Sequence, residues 1–311
     1  MPRTATQPPP PVMQSAAAGP AFATVLAALT EHLDQAAASC LQTATDPAPV
    51  HAYRVSLRKI RSLYRAAGRL RPDATRQSLS AEFRWLSART SAVRDLDVLI
   101  AALPHYAANI DDPLGRVLSG EIAPHLQSLA AQSRADLAAT LHSDRYANFQ
   151  DEWRSTVRAI GAADTTSGSL VARIERVTTR LHAQLVHYHA TREDTTTLHA
   201  LRKTCKRLRY LLEIFRGLYR PDAITPTIAR LKHLQEQLGA YWDLEVHGHS
   251  LPRHPCAPPF RSTPSRVARV ADFFTAERTK RFTLAMSALS DYQQTLPLPT
   301  PRACGVQLAA G

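Results

Sequence analysis

The 311-residue sequence has four cysteines, Cys40, Cys205, Cys256 and Cys304, and no pair of them stands at CxxC spacing. That argues against a disulfide scaffold or a thiolate metal centre, and points to free thiols in a reducing compartment. Glycine is scarce, at 11 residues, while alanine, leucine and arginine are abundant, a balance that favours helices. No apolar run approaches the roughly 18 residues of a membrane span. Aromatic residues are 6% of the chain, too few to interleave with basic side chains as base-stacking platforms do. The sequence also lacks a GxxxxGK[ST] phosphate loop, a GxSxG nucleophile elbow and a well-formed acidic metal site. What is present, 44% hydrophobic residues, is enough for a folded core. Residues 1–20, broken by prolines and without a hydrophobic signal core, read as a disordered leader; residues 296–311 read as a loose tail.

Acid is missing in one place in particular. Residues 51–65, "HAYRVSLRKIRSLYR", hold five arginine or lysine residues and no aspartate or glutamate. Like charges three or four apart on a helix repel by about 0.2–0.5 kcal/mol per pair, so such a helix opposes its own formation. The net charge of the chain is +12. Residues 51–71 carry seven basic side chains and no acid; residues 199–220 carry seven and one acid, Glu213. The rest of the chain is close to neutral. The excess is therefore built into two short segments rather than spread over the surface.

Those segments are copies. "HAYRVSLRKIRSL" from His51 aligns with "HALRKTCKRLRYL" from His199 at an offset of 148 residues. Arg54 falls on Arg202, Arg58 on Lys206, Lys59 on Arg207 and Arg61 on Arg209. At the same offset "DLDV" (Asp95–Val98) falls on "DLEV" (Asp243–Val246), and Phe22, Leu26, Leu29 and Leu33 fall on Leu170, Ile174, Val177 and Leu181. The chain is a tandem duplication. We expect a first repeat over 21–160 and a second over 161–295.

Within each copy the periodicity is helical. His51, Arg54, Arg58, Arg61 and Arg65 step by three and four and form one stripe; Tyr53, Leu57, Ile60, Leu63 and Tyr64 form the opposite, apolar side. In the second copy His199, Arg202, Lys206 and Arg209 stand against Leu201, Cys205, Leu208, Leu211, Leu212 and Phe215, with Lys59 and Arg207 flanking the stripes. Further helices are expected near 21–45, 75–103, 114–142, 145–160, 168–191, 223–246 and 265–294, separated by "TDPAP", "RPDA", "DDP", "TTSGS" and the proline-rich 251–264. No segment alternates as a strand does. The expected fold is all-α, each copy an antiparallel bundle.

The paired His-x-x-Arg helices, each followed by an Asp-Leu-[Asp/Glu]-Val segment, resemble the CHAD family, the conserved histidine α-helical domain, over roughly residues 20–295. The resemblance implies two four-helix bundles about a pseudo-twofold axis, with basic helices lining a central cavity. It implies binding of inorganic polyphosphate and a cytoplasmic protein associated with polyphosphate granules. Carried over by position, the binding residues are His51, Arg54, Arg58, Lys59, Arg61, Arg65 and Arg94, then His199, Arg202, Lys203, Lys206, Arg207 and Arg209. The second copy departs in one respect: "RDLDV" has Arg94 where "WDLEV" has Trp242. Polyphosphate has no bases to read, so its binder needs a dense track of donors, and arginine forks with lysine charges supply one.

Other readings compete. Asp95, Asp97, Asp243 and Glu245 are read as partners that orient nearby arginines rather than as metal ligands. His247, His249, His254 and Cys256 have ligand types at plausible spacing but are read as lying in a proline-rich loop without a second cluster. Trp85, Trp153 and Trp242 are read as core. Triphosphate tunnel enzymes can be fused to CHAD-like domains, but their Glu-x-Glu-x-Lys strand motif is absent here, so no catalytic residue, metal or cofactor is expected. Nucleic-acid binding in the same cationic groove is the alternative, a polyphosphate- or nucleotide-processing enzyme the next.

Overall fold

Each basic stripe lies opposite an apolar one, and burial of the apolar sides sets the packing. The computed structural model describes residues 18–43, 45–68, 73–110, 112–163, 168–191, 195–251 and 264–294. Among these there is no strand. The order is α1 (Ala18–Gln42), α2 (Ala48–Ala67), α3 (Asp73–Asn109), α4 (Asp112–Val117), a π-helical turn (Leu118–Ile122), α5 (Ala123–Leu141), α6 (Asp144–Ala162), α7 (Gly168–Thr191), α8 (Thr195–Ile214), a 3-10 turn (Arg216–Leu218), α9 (Pro221–Ser250) and α10 (Pro264–Gln293). No helix among the described residues is long and apolar enough to cross a membrane. Residues 1–17 of the expected leader, the tail and residues 252–263 of the proline-rich loop lie outside them; the last three residues assigned to the leader, 18–20, instead open α1.

Local chemistry fixes the ends of the first basic helix. Asp46 Oδ1 accepts from the Ala48 amide at 2.8 Å, and Pro49 sits in the first turn, where its missing N–H costs nothing. Gly68 closes α2 with a φ of 54°, a conformation glycine adopts without strain. The expected boundary at residue 103 is wrong: α3 runs through Pro104 to Asn109. Pro104 removes one helical hydrogen bond, but Tyr106 and Ile110 are buried beyond it, and their burial offsets the loss.

The apolar residues named from the sequence are the core. Tyr53, Leu57, Ile60, Leu63 and Tyr64 are buried, as are Leu201, Cys205, Leu208, Leu211, Leu212 and Phe215. Two clusters form, and both draw on both repeats. The larger joins α1, α2, α6, α7 and α8 with the first parts of α3 and α9 and the last parts of α5 and α10; Phe22 meets Phe215 across it at 5.1 Å between ring centroids. The smaller joins the distal parts of α3 and α9, from Leu99 and Leu244 onward, with α5 and α10. The core is thus shared rather than one per repeat. Among the described residues α1, α2, α3 and α5 have counterparts in α7, α8, α9 and α10, while α6 has none there and packs on α1 and α3.

The layout positions the site. Along α3 the larger cluster ends at Val93 and the smaller begins at Leu99; along α9 they meet between Tyr241 and Leu244. Arg94 and Asp95, and Trp242 and Asp243, fall in those gaps. Where the apolar layers part, a polar layer lies between them.

Candidate functional site

Helices α2 and α8 pack against each other, so the two basic segments lie side by side. Arg54, Arg58, Lys59, Arg61, Arg94, His199, Arg202, Lys206, Arg207 and Arg209 are half-buried; His51, Arg65 and Lys203 are exposed. A half-buried guanidinium keeps its charge at a cost in hydration, so its partners matter.

Some of these cations are tied down. Arg54 Nη1 donates to the Ser87 carbonyl at 3.3 Å, to Thr90 Oγ1 at 3.1 Å and to Ser91 Oγ at 2.9 Å. Arg61 Nη1 donates to Ser87 Oγ at 2.6 Å. In the second repeat Arg209 Nε donates to Gln235 Oε1 at 2.9 Å, and its Nη1 pairs with Glu213. Gln235 stands 148 residues after Ser87, and Glu213 the same distance after Arg65. Among the described residues, only the contact of Arg61 with Ser87 has a match, in that of Arg209 with Gln235; the other acceptors belong to one repeat alone.

Others are not. Arg58, Arg94, Arg202 and Lys206 make no hydrogen bond or ion pair among the described residues, and the Nε atoms of Arg58 and Arg202 are buried without an acceptor. These four come from α2, α3 and α8, yet their charges act on one another. Arg58 is felt by Arg54, Arg94, Arg202 and Lys206. Burial, reinforced by Arg202 and Arg58, pushes the Lys206 ammonium down to about 7. Burial likewise lowers Arg54 to about 10, and it lowers Arg94 and Arg202. The compensating carboxylates are Asp95, near Arg54 and Arg94, and Asp243, near Arg94, Arg202 and Lys206. Lys59 lies apart, under the influence of Glu213 and Arg209.

The acids of the DLDV and DLEV segments divide by position. Asp97 pairs with Arg134 of α5, and Glu245 with Arg278 of α10 at 2.6 Å. Both acids pair with nearby arginines, as the sequence reading expects, but these arginines belong to the outer helices; Asp97 also acts on Arg94. His247 and His249 lie on α9 rather than in the expected loop: His247 shares a 2.7 Å hydrogen bond with the Tyr106 hydroxyl, and His249 Nδ1 bonds the Glu245 carbonyl at 2.8 Å; His254 and Cys256 lie outside the described residues.

Trp153 is core, its Nε1 donating to Thr30 Oγ1 at 2.8 Å, but the other tryptophans are not simple core residues. Trp85 is half-buried with Arg145 over its ring at 4.1 Å. Trp242 is half-buried and lies against His199, ring centroids 4.2 Å apart. Burial and the neighbouring Lys203, Arg202 and Lys206 hold the His199 ring below the usual histidine range, so it is a neutral imidazole at pH 7. His51, its counterpart, is exposed. Sequence reading missed Ser87, Thr90, Ser91, Gln235 and the role of Trp242. Extending the 148-residue alignment upstream from Asp95 sets Ser87 over Gln235 and Ser91 over Gly239, and would have shown them.

In structural class this is an all-α protein with a half-buried cationic seam between two repeats. A family model, the CHAD domain, matches residues 27–252, and the chain belongs to that family. It resembles the crystal structure of the CHAD domain from the plant Ricinus communis, with 26% sequence identity, a TM-score of 0.73, and coverage of 94% of this chain and 97% of that one. It shares its fold with PptA from Streptomyces chartreusis at 16% identity and a TM-score of 0.60, covering 90% of this chain and 99% of that one. No curated protein matches the chain.

Proposed function

We propose that the seam binds inorganic polyphosphate. One observation carries the reading: Arg58, Arg94, Arg202 and Lys206, from both repeats, converge without hydrogen-bonded partners among the described residues. Buried donors left unsatisfied are costly, and phosphate oxygens satisfy them with charge-assisted bonds. The family is linked to polyphosphate binding in general, which supports the same ligand. In this reading the repeats act as two arms about a pseudo-twofold axis and grip a flexible polyanion from both sides. Arg54, Arg61 and Arg209, already tied to neutral or acidic side chains, set the field and the shape; the four free cations, with His199 and the flanking Lys59, Lys203 and Arg207, make the contacts. His51 and Arg65 extend the track at its exposed positions.

The protein acts as a binding module in the cytoplasm, on polyphosphate granules, and not as an enzyme. The test is displacement of labelled polyphosphate by unlabelled polyphosphate, DNA and RNA at fixed salt. Polyphosphate should compete best per phosphate. Equal or better competition by nucleic acid would replace this reading with the nucleic-acid one, and metal-dependent shortening of the labelled chain would show catalysis.

A further inference from the structure

The two ends of the seam differ in chemistry. Where the first repeat places the guanidinium of Arg94, the second places Trp242, and its indole lies against the His199 imidazole with centroids 4.2 Å apart. A duplicated cation has been replaced by an aromatic pair beside the remaining cations.

The geometry around the pair is defined by two contacts between α8 and α9. His199 meets Trp242, and one turn further along α8 Arg202 meets Gly239; a Cβ on Gly239 would stand 3.6 Å from Arg202 Nη2. The stacking surface is thus one helical turn from Arg202 and two from Lys206, about 10 Å of rise from His199 to Lys206. With no side chain on Gly239, the Arg202 guanidinium comes close to the α9 backbone there. Burial and the surrounding cations favour the neutral His199 ring in the empty site, so it adds a polarisable face there. Its Nδ1 is buried without a partner. Trp242 is only half-buried, so part of the indole is open.

We propose that this end of the seam is a subsite for a nucleobase, so that the protein takes nucleoside polyphosphates as well as inorganic chains. The base stacks on Trp242, which His199 backs, and the phosphates run across Arg202 onto Lys206 and Arg58. Base–aromatic stacking is tolerant of base identity, because every base has a π-face, so the class is nucleoside polyphosphates at large. The proposal rests on the polyphosphate reading for the seam, and adds to it a preference for a chain capped by an aromatic base.

The experiment compares adenosine 5′-tetraphosphate with inorganic tetrapolyphosphate by calorimetric titration at fixed salt and without divalent cations. Wild-type protein should prefer the adenosine-capped chain by roughly tenfold, within the range that one base on one aromatic ring contributes. Trp242→Arg, which restores the residue of the first repeat, should abolish the preference and tighten inorganic tetrapolyphosphate. Trp242→Leu should abolish the preference too, and provides a second variant should the arginine disturb folding, which far-UV circular dichroism reports. Equal binding of the two ligands by wild-type protein overturns the stacking subsite and leaves the cationic seat standing. A preference that survives in both variants places the base elsewhere and overturns it as well. Failure of both ligands to bind removes the polyphosphate reading itself, and this inference with it.

Discussion

Arg54 and Arg202 occupy the same position in the two repeats, 148 residues apart, and live in different surroundings. Arg54 donates to the Ser87 carbonyl, Thr90 and Ser91. The positions matching Thr90 and Ser91 are Leu238 and Gly239, and Arg202 Nε is buried with no acceptor. The two repeats thus carry matching cationic stripes, and the residues on the facing helix decide which cations are held and which are left for a ligand. In the first stripe Arg54 and Arg61 are anchored and Arg58 is not; in the second Arg209 is anchored while Arg202 and Lys206 are available.

The comparison can be broken at several points. The largest effect should come from the acids of the DLDV and DLEV segments. Asp97 and Arg134 have side chains 4% and 13% exposed, whereas Glu245 and Arg278 are 17% and 38% exposed. Removing one partner of a buried pair strands the other, so Arg134→Ala should lower stability by about 3 kcal/mol. Arg278→Ala, at the wetter equivalent, should cost about 1 kcal/mol or less. Denaturant melts of the two variants measure the difference, and equal losses would show that the repeats are not differentiated at this pair.

The next effect is one of pH. Lys206 has a pKa near 7 in the empty seam, below its value in the unfolded chain. Between those values the unfolded chain holds a proton that the folded one lacks, so stability of the free protein should rise as pH increases from about 7. A bound polyanion favours the ammonium, so binding at pH 8 should take up close to one proton, and affinity should fall as pH rises above 7. His199, also held low, titrates in a lower range and does not contribute in that window. Calorimetry in buffers of different ionisation enthalpy reads the uptake, and Lys206→Arg should remove it.

The smallest effect is the most specific to the comparison. Gly239→Ser gives Arg202 the hydroxyl that Ser91 gives Arg54, and the added Cβ meets only ordinary contact at 3.6 Å. A glycine replaced inside a helix should add about 0.5 kcal/mol of stability. The newly occupied guanidinium should weaken polyphosphate binding by about 1 kcal/mol. Melting curves and binding titrations of this variant test both; raised stability with unchanged affinity would break the link between free donors and binding.

The helices and their apolar faces were legible because period and burial are local: Tyr53, Leu57 and Ile60 repeat at helical spacing and must be covered. The cationic stripes were legible because they were written twice. What the sequence did not reveal lies across helices. Arg134 as the partner of Asp97, Trp242 against His199, and the sharing of both apolar clusters between repeats all depend on how α3 and α9 lie against other elements. No spacing along one helix encodes those contacts. The helix continued past Pro104 for the same reason: the residues beyond it are paid for by burial against a distant segment.

The central claim is that the free cations where the repeats meet, and not the basic charge of the chain at large, form the binding seat. A salt titration of polyphosphate binding tests it most directly, on wild type, on Arg58→Ala with Lys206→Ala, and on Arg158→Ala with Arg180→Ala, two exposed arginines outside the stripes. The seam variant should fold normally and lose about 1–3 kcal/mol of affinity for each charged hydrogen bond removed. Its slope of log K against log salt should become shallower by roughly 1–2, as fewer counterions are released, while the control keeps the wild-type slope. Equal losses of affinity and slope in the two variants would contradict the account and leave diffuse charge as the explanation of binding.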